Sequence, residues 1–456
     1  MNATSARPVT VEPGGRGVVA HVGLHALASF ADRLGLGEAL SSAIPFSGER
    51  IPLHDRGKVL VQTALAVAGG GESCADIEHL RCQPDLFGAV PSDSTVYRSF
   101  RAITPAVRAD LAAAVADVRG KVWARSAATT GTGPVFLDID GTLLEIHSEG
   151  KERTGATYKG GFGFHPLLCF ADASGEALAG MLRPGNAGAN TAADHVVVLD
   201  EALAQLPEQV RAGHRPGDER SMVRREVVCR TDSAGSTAGF VSALVSRNIG
   251  FMTVAATNAE IQAAIFDAEG MEEVWRPALR QDGEVREGSA VCELTSLVAL
   301  RGWPAGTRLI VRREPLHPGA QRSLFPSLEY RYWGFYTDQA GDPVELDVVM
   351  RAHAHVENHI ERLKDSGLTR FPFSDFEANA AWMAVVLLSA DLVRWFQLLC
   401  LDGYWRSARP KALRWGLLHA PGRLVRSARR QVVRILDGWP AADALLGAYR
   451  HIARLS

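Results

Sequence analysis

The sequence predicts a mixed α/β fold, in which helical segments stand before and after a β-sheet core. The chain has 456 residues, of which 46% are hydrophobic and 22% charged, so it can bury more than one core. Strand-like and helix-like patterns alternate in its middle, whereas both flanks have helical periodicity. The longest apolar run, which begins at Ala380, is interrupted by Asp391 and Arg394, which favours a buried helix over a membrane span.

Residues 1–128 are predicted to form a helical region. Helical periodicity covers His25 to Leu40 and Arg56 to Ala68. The later stretch PSDSTVYRSFRAI predicts a short capped helix from which Arg98 and Arg101 project one turn apart. This is compatible with a DNA-binding region of helix-turn-helix type, and equally with a packing domain that has ordinary surface arginines.

Residues 129–257 carry the pattern typical of a sheet core. PVFLDID is a buried strand ending in carboxylates, and FHPLLCFADASGEALAGMLRPGN predicts a hairpin. A helix that begins at Thr191, a strand that ends at Asp232, a further helix and the strand GFMTVAA follow. The succession β, β-hairpin, α, β, α, β favours a ribonuclease-H-like core.

The second half of the chain divides into three predicted parts. Residues 258–347 are short β-prone pieces with several tryptophans, and they predict a β-rich insertion. Residues 348–402 return to helical patterns and complete the ribonuclease-H-like core. Residues 403–456 predict a basic helical tail, with eleven lysines and arginines against Asp437 and Asp443.

Charge and composition narrow the possible partners. The net charge of −2 excludes a uniformly basic surface, so the tail is the expected DNA-phosphate contact, through Arg426, Arg429 and Arg430, with a merely solvated basic helix as the alternative. The six cysteines are widely spaced and form no CxxC pair, which suits a reducing, cytoplasmic location. The glycine-rich pieces match no phosphate-binding loop, so no nucleotide cofactor is expected, and no membrane.

Four acids suggest the chemistry. Asp138 and Asp140 alternate along one strand and share a face, where a pair of like charges needs a cation. The string DIDGT resembles the nucleophile motif of haloacid-dehalogenase-type phosphatases, but the chain lacks their acidic magnesium motif at its spacing. Asp232 ends another strand and Glu357 lies on a later helix. Carboxylates of this kind suit two Mg²⁺ or Mn²⁺ ions acting on a phosphodiester.

The histidines around Glu357 allow one other metal hypothesis. His355 and His359 lie one helical turn apart, but Glu357 is one position later than in the zinc-protease pattern. Ordinary helix-surface histidines are the favoured interpretation.

Several segments resemble the DD-E transposases of bacterial insertion sequences, in particular the IS thirteen-eighty group. They are LDIDGT, GKVLVQTALAVAGGGESCADIEHLRCQPDLFG, YKGGFGFHPLLCF, RTDSAG and HVENHIERLKDSG, in the expected order from about His25 to Leu436. The resemblance implies an enzyme that cleaves DNA at element ends and transfers the freed strand, with Asp140, Asp232 and Glu357 as catalytic and metal-binding residues. Asp138 is the alternative first acid.

The resemblance also implies DNA contacts and a partner. Related transposases carry Tyr, Arg, Glu and Lys at fixed spacing; here Glu357 and Lys364 match, but Met350 and His353 stand at the Tyr and Arg positions. The phosphate contact of that motif is then expected from Lys364 with Arg351 or His353. Trp333 is the candidate for stacking on a flipped base, against core filling as the alternative. A homodimer assembled on double-stranded DNA, associated with the nucleoid, is expected; a catalytically inactive relic that only binds DNA is the remaining alternative.

Overall fold

The computed structural model describes residues 10, 12, 14–44, 52–316, 330–427 and 430–455. Within these ranges the protein is a mixed α/β molecule built on one large sheet, as predicted.

The N-terminal region is helical, as expected. It contains the short strand β1 (Val18–Val19) and seven helices: α1 (Val22–Leu34), α2 (Leu36–Ala43), α3 (Arg56–Ala68), α4 (Glu78–Arg81), α5 (Pro84–Phe87), α6 (Asp93–Arg101) and α7 (Pro105–Trp123). The predicted helix from His25 to Leu40 is two helices, because Gly35 takes a left-handed conformation at φ 72° and ends α1. Asp55 and Thr104 cap α3 and α7 by accepting backbone N–H groups.

The predicted core succession is confirmed. Its strands and helices are β2 (Val135–Gly141), β3 (Leu144–Glu145), β4 (Gly155–Ala156), β5 (Phe162–Phe164), β6 (Leu167–Ala171), β7 (Glu176–Met181), α8 (Ala192–Ala204), α9 (Glu208–Arg211), β8 (Val227–Thr231), α10 (Ala238–Val245) and β9 (Gly250–Ala255). β2, β6 and β7 are antiparallel neighbours, whereas β8 and β9 run parallel to β2. The ribonuclease-H-like class therefore follows from both the order and the directions of these strands.

The β-rich segment extends this same sheet. After α11 (Ala259–Glu269) come β10 (Arg276–Leu279), β11 (Val285–Glu293), β12 (Arg308–Pro315) and β13 (Tyr330–Thr337). β13 pairs antiparallel with β9, so the nine-stranded order is β10-β11-β12-β13-β9-β8-β2-β6-β7. The insertion predicted from the sequence thus shares its hydrogen-bonded sheet with the core.

The C-terminal part returns to helices, with one exception. It contains α12 (Pro343–Arg351), α13 (His355–Leu363), α14 (Phe376–Cys400), α15 (Gly403–Ser407), α16 (Pro410–Leu413), β14 (Gly422–Ser427), β15 (Arg430–Ile435) and α17 (Ala442–Arg454). The expectation of a helix through the basic tail is wrong at β14 and β15, which form an antiparallel hairpin that pairs with β1. Arg423, Arg426, Arg430 and Arg434 recur every three or four residues, a spacing that also fits a helix, so the pairing of the strands decides their state.

The N-terminal and C-terminal helices share one hydrophobic core. Side chains of α1, α2, α3, α6 and α7 pack against α14 and α17 in a single cluster of buried residues. By length and composition α14 could cross a membrane, yet 78% of its most apolar window is buried inside the protein. It is the central helix of the helical layer, as the interruption by Asp391 and Arg394 indicated.

Candidate active site

Two of the predicted catalytic acids follow the carboxyl ends of neighbouring strands. β2 and β8 run parallel, with Asp138 opposite Arg230 and Ile139 opposite Thr231. The next residues along the two strands are Asp140 and Asp232. Since adjacent strands lie roughly 4.8 Å apart, these two carboxylates stand side by side at one edge of the sheet.

Asp138 is fully compensated. Its side chain is completely buried, and it accepts two hydrogen bonds from Arg230, at 2.8 Å from Nε and 2.7 Å from Nη2. His353 Nδ1 lies 2.7 Å from the same carboxylate. A carboxylate with this bidentate partner and no solvent exposure is a structural group, which favours Asp140 over Asp138 as the first catalytic acid.

Asp140 and Asp232 lack such partners. Asp140 accepts from the backbone N–H of Gly141 at 2.7 Å, and Asp232 accepts from that of Ala234 at 2.8 Å. Neither forms an ion pair with any residue that the structure describes. Burial and, next, the negative charge of Asp232 raise the pKa of Asp140 to about 6, against the opposing effect of His353. The pair is thus electrostatically unsatisfied, as expected for a site that receives a cation.

Glu357 lies on α13, on the exposed side of that helix. Its charge also contributes to the raised pKa of Asp140, which puts it within electrostatic range of the strand ends. It has no ion pair among the described residues either. We call Asp140, Asp232 and Glu357 the acid pocket.

A set of polar contacts links α13 to the strands. We call Asp138, Asp172, Arg230, His353 and His355 the polar network. Arg230 bonds Asp172 at 2.8 Å as well as Asp138, and His355 Nδ1 lies 2.9 Å from Asp172. Burial alone would raise the pKa of Asp172, but Arg230 and His355 lower it. The network therefore connects β2, β6 and β8 to the first turn of the helix that carries Glu357.

The residues fit a hard divalent cation. In the described ranges no three His, Cys, Asp or Glu side chains meet as a preformed metal cage. Mg²⁺ seldom uses one, since it is commonly bound by one or two carboxylates together with water and substrate phosphates. Two adjacent, partly buried carboxylates without a basic partner among the described residues are a donor set of this kind.

The two histidines of the zinc hypothesis point to different partners. His355 bonds Asp172, whereas the ring of His359 stacks on Phe170 with centroids 5.4 Å apart. Burial lowers the pKa of His359, and its Nε2 has no hydrogen-bond partner. The structure does not support a zinc site, and these histidines pack or pair instead.

The expected phosphate contacts near Glu357 differ in availability. Arg351 is engaged with Asp347, at 2.9 Å, and with the carbonyl of Leu279, so the structure does not favour the DNA contact predicted for it. Among the described residues Lys364 bonds only Glu361, at 3.0 Å, in a partly exposed pair. An exposed pair of this type is weak, so Lys364 is free to exchange it for a phosphate.

The substitutions in the Tyr-Arg-Glu-Lys motif have structural roles. Met350 lies on α12 and is buried among apolar residues, and His353 belongs to the polar network. Neither is available as a phosphate contact.

Trp333 lies on the same face and edge of the sheet as the acids. It precedes Gly334, which pairs with Ala255, the last residue of β9, so Trp333 stands just beyond the carboxyl end of that strand. β13 is two strands from β8, roughly 10 Å. The ring is 40% exposed, and the guanidinium of Arg331 lies 4.9 Å from its centroid. Core filling does not account for this exposure.

The basic residues at the two ends of the chain are on the surface. Arg98 and Arg101 are exposed on α6, whose buried side, Val96 and Phe100, joins the core shared with α14. Arg426 and Arg430 are exposed on the hairpin of β14 and β15. Arg429 lies outside the described residues.

Sequence reasoning missed the roles of Arg230, Asp172 and His353. One signal was present: Arg230 is two residues before Asp232, so strand alternation puts both on the face of Asp138 and Asp140. The sequence indicated His353 only as a candidate phosphate contact and gave no sign of Asp172, because their contacts join segments that are remote in the chain.

Similarity to known proteins identifies the family of this chain. The cryo-EM structure of a piggyBac transposase synaptic complex with hairpin DNA is similar over 89% of this chain and 83% of that one, with 11% identity and a TM-score of 0.41, too low to carry an argument. No curated protein sequence matches the chain. The whole chain, residues 1–456, matches the sequence family described as Transposase DDE domain group 1. The protein belongs to this family of transposases.

Proposed function

We propose that the protein cleaves DNA at the ends of a bacterial insertion sequence and joins the freed strand to target DNA. The observation that carries this proposal is the acid pocket: two adjacent, uncompensated aspartates at strand ends, with a glutamate in electrostatic range. The narrower assignment to the IS thirteen-eighty group stays a prediction.

Each acid has a defined task in this proposal. Asp140 and Asp232 would hold divalent cations, Mg²⁺ or Mn²⁺, and Glu357 would complete the site from α13. When bound, two such ions activate the attacking water or 3′-hydroxyl and stabilise the leaving oxygen. The polar network holds α13 against the strands, so the protein itself orients Glu357 towards the two aspartates.

DNA binding is proposed along the surface that leads away from the acid pocket. Lys364 would neutralise a phosphate, Trp333 would stack on a base, and Arg426 and Arg430 on the hairpin would follow the backbone of the duplex, with Arg98 and Arg101 on α6 as further contacts. Because an element has two ends, two copies of the chain on one DNA complex are proposed. A nucleoid-associated, cytoplasmic location follows from this activity.

The phosphatase alternative requires the first aspartate of DIDGT as the phosphorylated nucleophile. That residue is Asp138, which is completely buried and bonded to Arg230 and His353. Its carboxylate cannot approach a substrate in this arrangement, which favours the transposase.

The test is cleavage of DNA that carries both ends of the element encoding the chain. We expect strand breaks at the ends in Mg²⁺ or Mn²⁺ and none in EDTA, with strand transfer when target DNA is added. A phosphatase would instead hydrolyse p-nitrophenyl phosphate and leave DNA intact. Salt-sensitive DNA binding without cleavage in any divalent ion would identify an inactive relic.

A further inference from the structure

A short loop beside the acid pocket carries an exposed aromatic ring and an exposed cation. It spans residues 157–161 between β4 and β5, and belongs to the YKGGFG motif. Thr157 closes it: its backbone N–H donates to the carbonyl of Gly161 at 2.8 Å, and its Oγ1 accepts from the N–H of Gly161 at 3.0 Å. Gly160 has φ 82°, a conformation that favours glycine. Tyr158 and Lys159 are therefore presented on a fixed turn.

The loop is positioned against the residue that follows Asp140. The ring of Tyr158 lies 5.9 Å from the ring of His165, between centroids. His165 Nε2 lies 3.0 Å from the position that a Cβ on Gly141 would occupy, so it packs directly on the backbone at the end of β2. Burial lowers the pKa of His165, and Asp232 and Lys159 act on it with opposite signs. The loop and the acid pocket thus share one neighbour, His165.

Neither side chain of the loop is used by the fold. Tyr158 is 70% exposed, an unusual state for so large a ring, and it covers only one side of His165. Lys159 Nζ lies 5.7 Å from the Tyr158 centroid and forms no ion pair with a described residue. The combination of an open aromatic face and an unpaired cation matches what binds single nucleic-acid strands, in which bases stack on rings and phosphates are neutralised.

We propose that Tyr158 and Lys159 form a nucleotide subsite for unpaired DNA next to the acid pocket. Tyr158 stacks on a base of the strand that enters the pocket, and Lys159 neutralises the adjoining phosphate. The proposal rests on the proposed function, since it needs a DNA strand at the acids.

The position of the loop gives this subsite a direction. Through His165 it adjoins the end of β2 and the start of β6, whereas Trp333 and Arg331 lie on β13, on the other side of the acids in the order of the strands. One aromatic ring and one cation therefore flank the acid pocket on each side. A strand crossing the pocket would meet the two pairs in succession.

The experiment compares binding of two probes in Ca²⁺, which keeps the DNA uncut. One is a forked duplex whose unpaired tail contains 2-aminopurine, and the other is the fully paired duplex of the same sequence. We expect the wild-type protein to bind the fork more tightly and to quench 2-aminopurine fluorescence. Tyr158→Ala should weaken fork binding about 5- to 50-fold and abolish the quenching, with affinity for the paired duplex unchanged.

Three further variants make the result specific. Tyr158→Phe should keep the wild-type affinity, because the ring is retained. Lys159→Ala should lower the slope of log affinity against log salt by about 0.7, the value of one single-strand phosphate contact. Phe266→Ala removes an equally open ring (61% exposed) from α11, on the other face of the sheet, and should change nothing.

The outcomes separate this inference from the proposed function. Unchanged fork binding by Tyr158→Ala, or equal wild-type affinity for both probes, overturns the subsite while cleavage by the wild-type protein upholds the transposase. Failure of the wild-type protein to bind either probe overturns both. A thermal unfolding midpoint equal to that of the wild type confirms that Tyr158→Ala is folded, as its exposure leads us to expect.

Discussion

Two groups of acids in this molecule each contain one carboxyl group whose pKa is raised, first of all, by burial. One is the acid pocket at the strand ends. The other, which we call the ion cluster, consists of Arg119, Glu176 and Asp391 between α7, β7 and α14. Burial raises the pKa of Asp391 to about 7 and that of Asp140 to about 6.

The difference is compensation. In the ion cluster Arg119 bonds Glu176 at 2.9 Å and Asp391 at 2.5 Å, while Trp123 and Trp395 donate to Glu176 at 2.7 and 2.6 Å. In the acid pocket the partners of Asp140 and Asp232 are single backbone N–H groups. A perturbed pKa alone thus does not identify a functional acid. The missing counter-charge identifies a functional acid instead, because the folded protein keeps an uncompensated carboxylate where a ligand later supplies the positive charge.

Removal of the acid pocket should have the largest effect. Asp140→Asn, Asp232→Asn and Glu357→Gln should each lower DNA cleavage by roughly 10³-fold or more, since bound metal ions supply several kcal/mol of transition-state stabilisation. Stability should not fall, because no ion pair is lost. Asp267→Asn, at an exposed position on α11, is the matched control for cleavage of end-bearing DNA. Full activity of any of the three variants would remove that acid from the mechanism.

The ion cluster should respond in stability rather than in chemistry. Arg119→Met leaves Glu176 and Asp391 buried without a cation and should cost about 3–5 kcal/mol of unfolding free energy. Arg81→Met breaks the exposed pair with Glu78 and should cost about 0.5 kcal/mol or less. Urea denaturation measures both. Cleavage per folded molecule should stay at the wild-type level in Arg119→Met, and a selective loss of cleavage would contradict the distinction drawn above.

Asp138 shares one feature with each group: its charge is compensated, as in the ion cluster, but it is adjacent to the acid pocket. Asp138→Asn removes the charge that pairs with Arg230 and His353, and so loosens α13. Changes in the partners that orient metal ligands typically cost about 10- to 100-fold, which we expect for both Mn²⁺ affinity and cleavage. Calorimetric titration with Mn²⁺ measures the metal affinity in the absence of DNA cleavage. A stability loss with unchanged Mn²⁺ affinity would limit the polar network to folding.

The pKa of Asp140 also predicts a dependence of stability on pH. Its folded-state pKa of about 6 lies above the ordinary aspartate pKa of 3.8, so ionisation disfavours the folded state. The penalty is absent below about pH 4, grows between pH 4 and 6, and is complete above pH 6. Asp140→Asn should therefore be more stable than the wild type by on the order of 1 kcal/mol at pH 8 and equal to it at pH 4, in metal-free urea denaturation. A gain of the same size at both values would mean that the carboxylate is not the cause.

The smallest effect is expected on the basic hairpin. Arg430 and Arg434 share a face by strand alternation and form no ion pair with a described residue. Arg430→Gln and Arg434→Gln should each lower the slope of log affinity for duplex DNA against log salt by about 0.9 per lost phosphate contact. Arg220→Gln removes an arginine that pairs with Glu226. Both residues precede β8, at the end of that strand opposite the acid pocket, so this variant should leave the slope unchanged. Equal slopes for all variants would leave the hairpin outside the DNA-binding surface.

Local patterns determined much of the fold. Alternation in PVFLDID, the turn in ADASGE and the cap at Asp55 depend on neighbouring residues, and the corresponding strands, hairpin and helix are present. The hairpin of β14 and β15 departs from the predicted helix, because its arginines are mostly spaced three or four residues apart and no two-residue alternation marks the strands. Its strand state depends on pairing with β1, which lies some 400 residues away in the chain.

By itself the sequence determined which acids end strands, the order of the core elements and the family to which the chain belongs, since these depend on local periodicity and on motifs. Only the tertiary structure decided that Asp138 is neutralised and Asp140 is not. That difference arises from Arg230, on a neighbouring strand, and His353, more than 200 residues further along the chain, and no local pattern encodes which carboxylate a distant cation reaches.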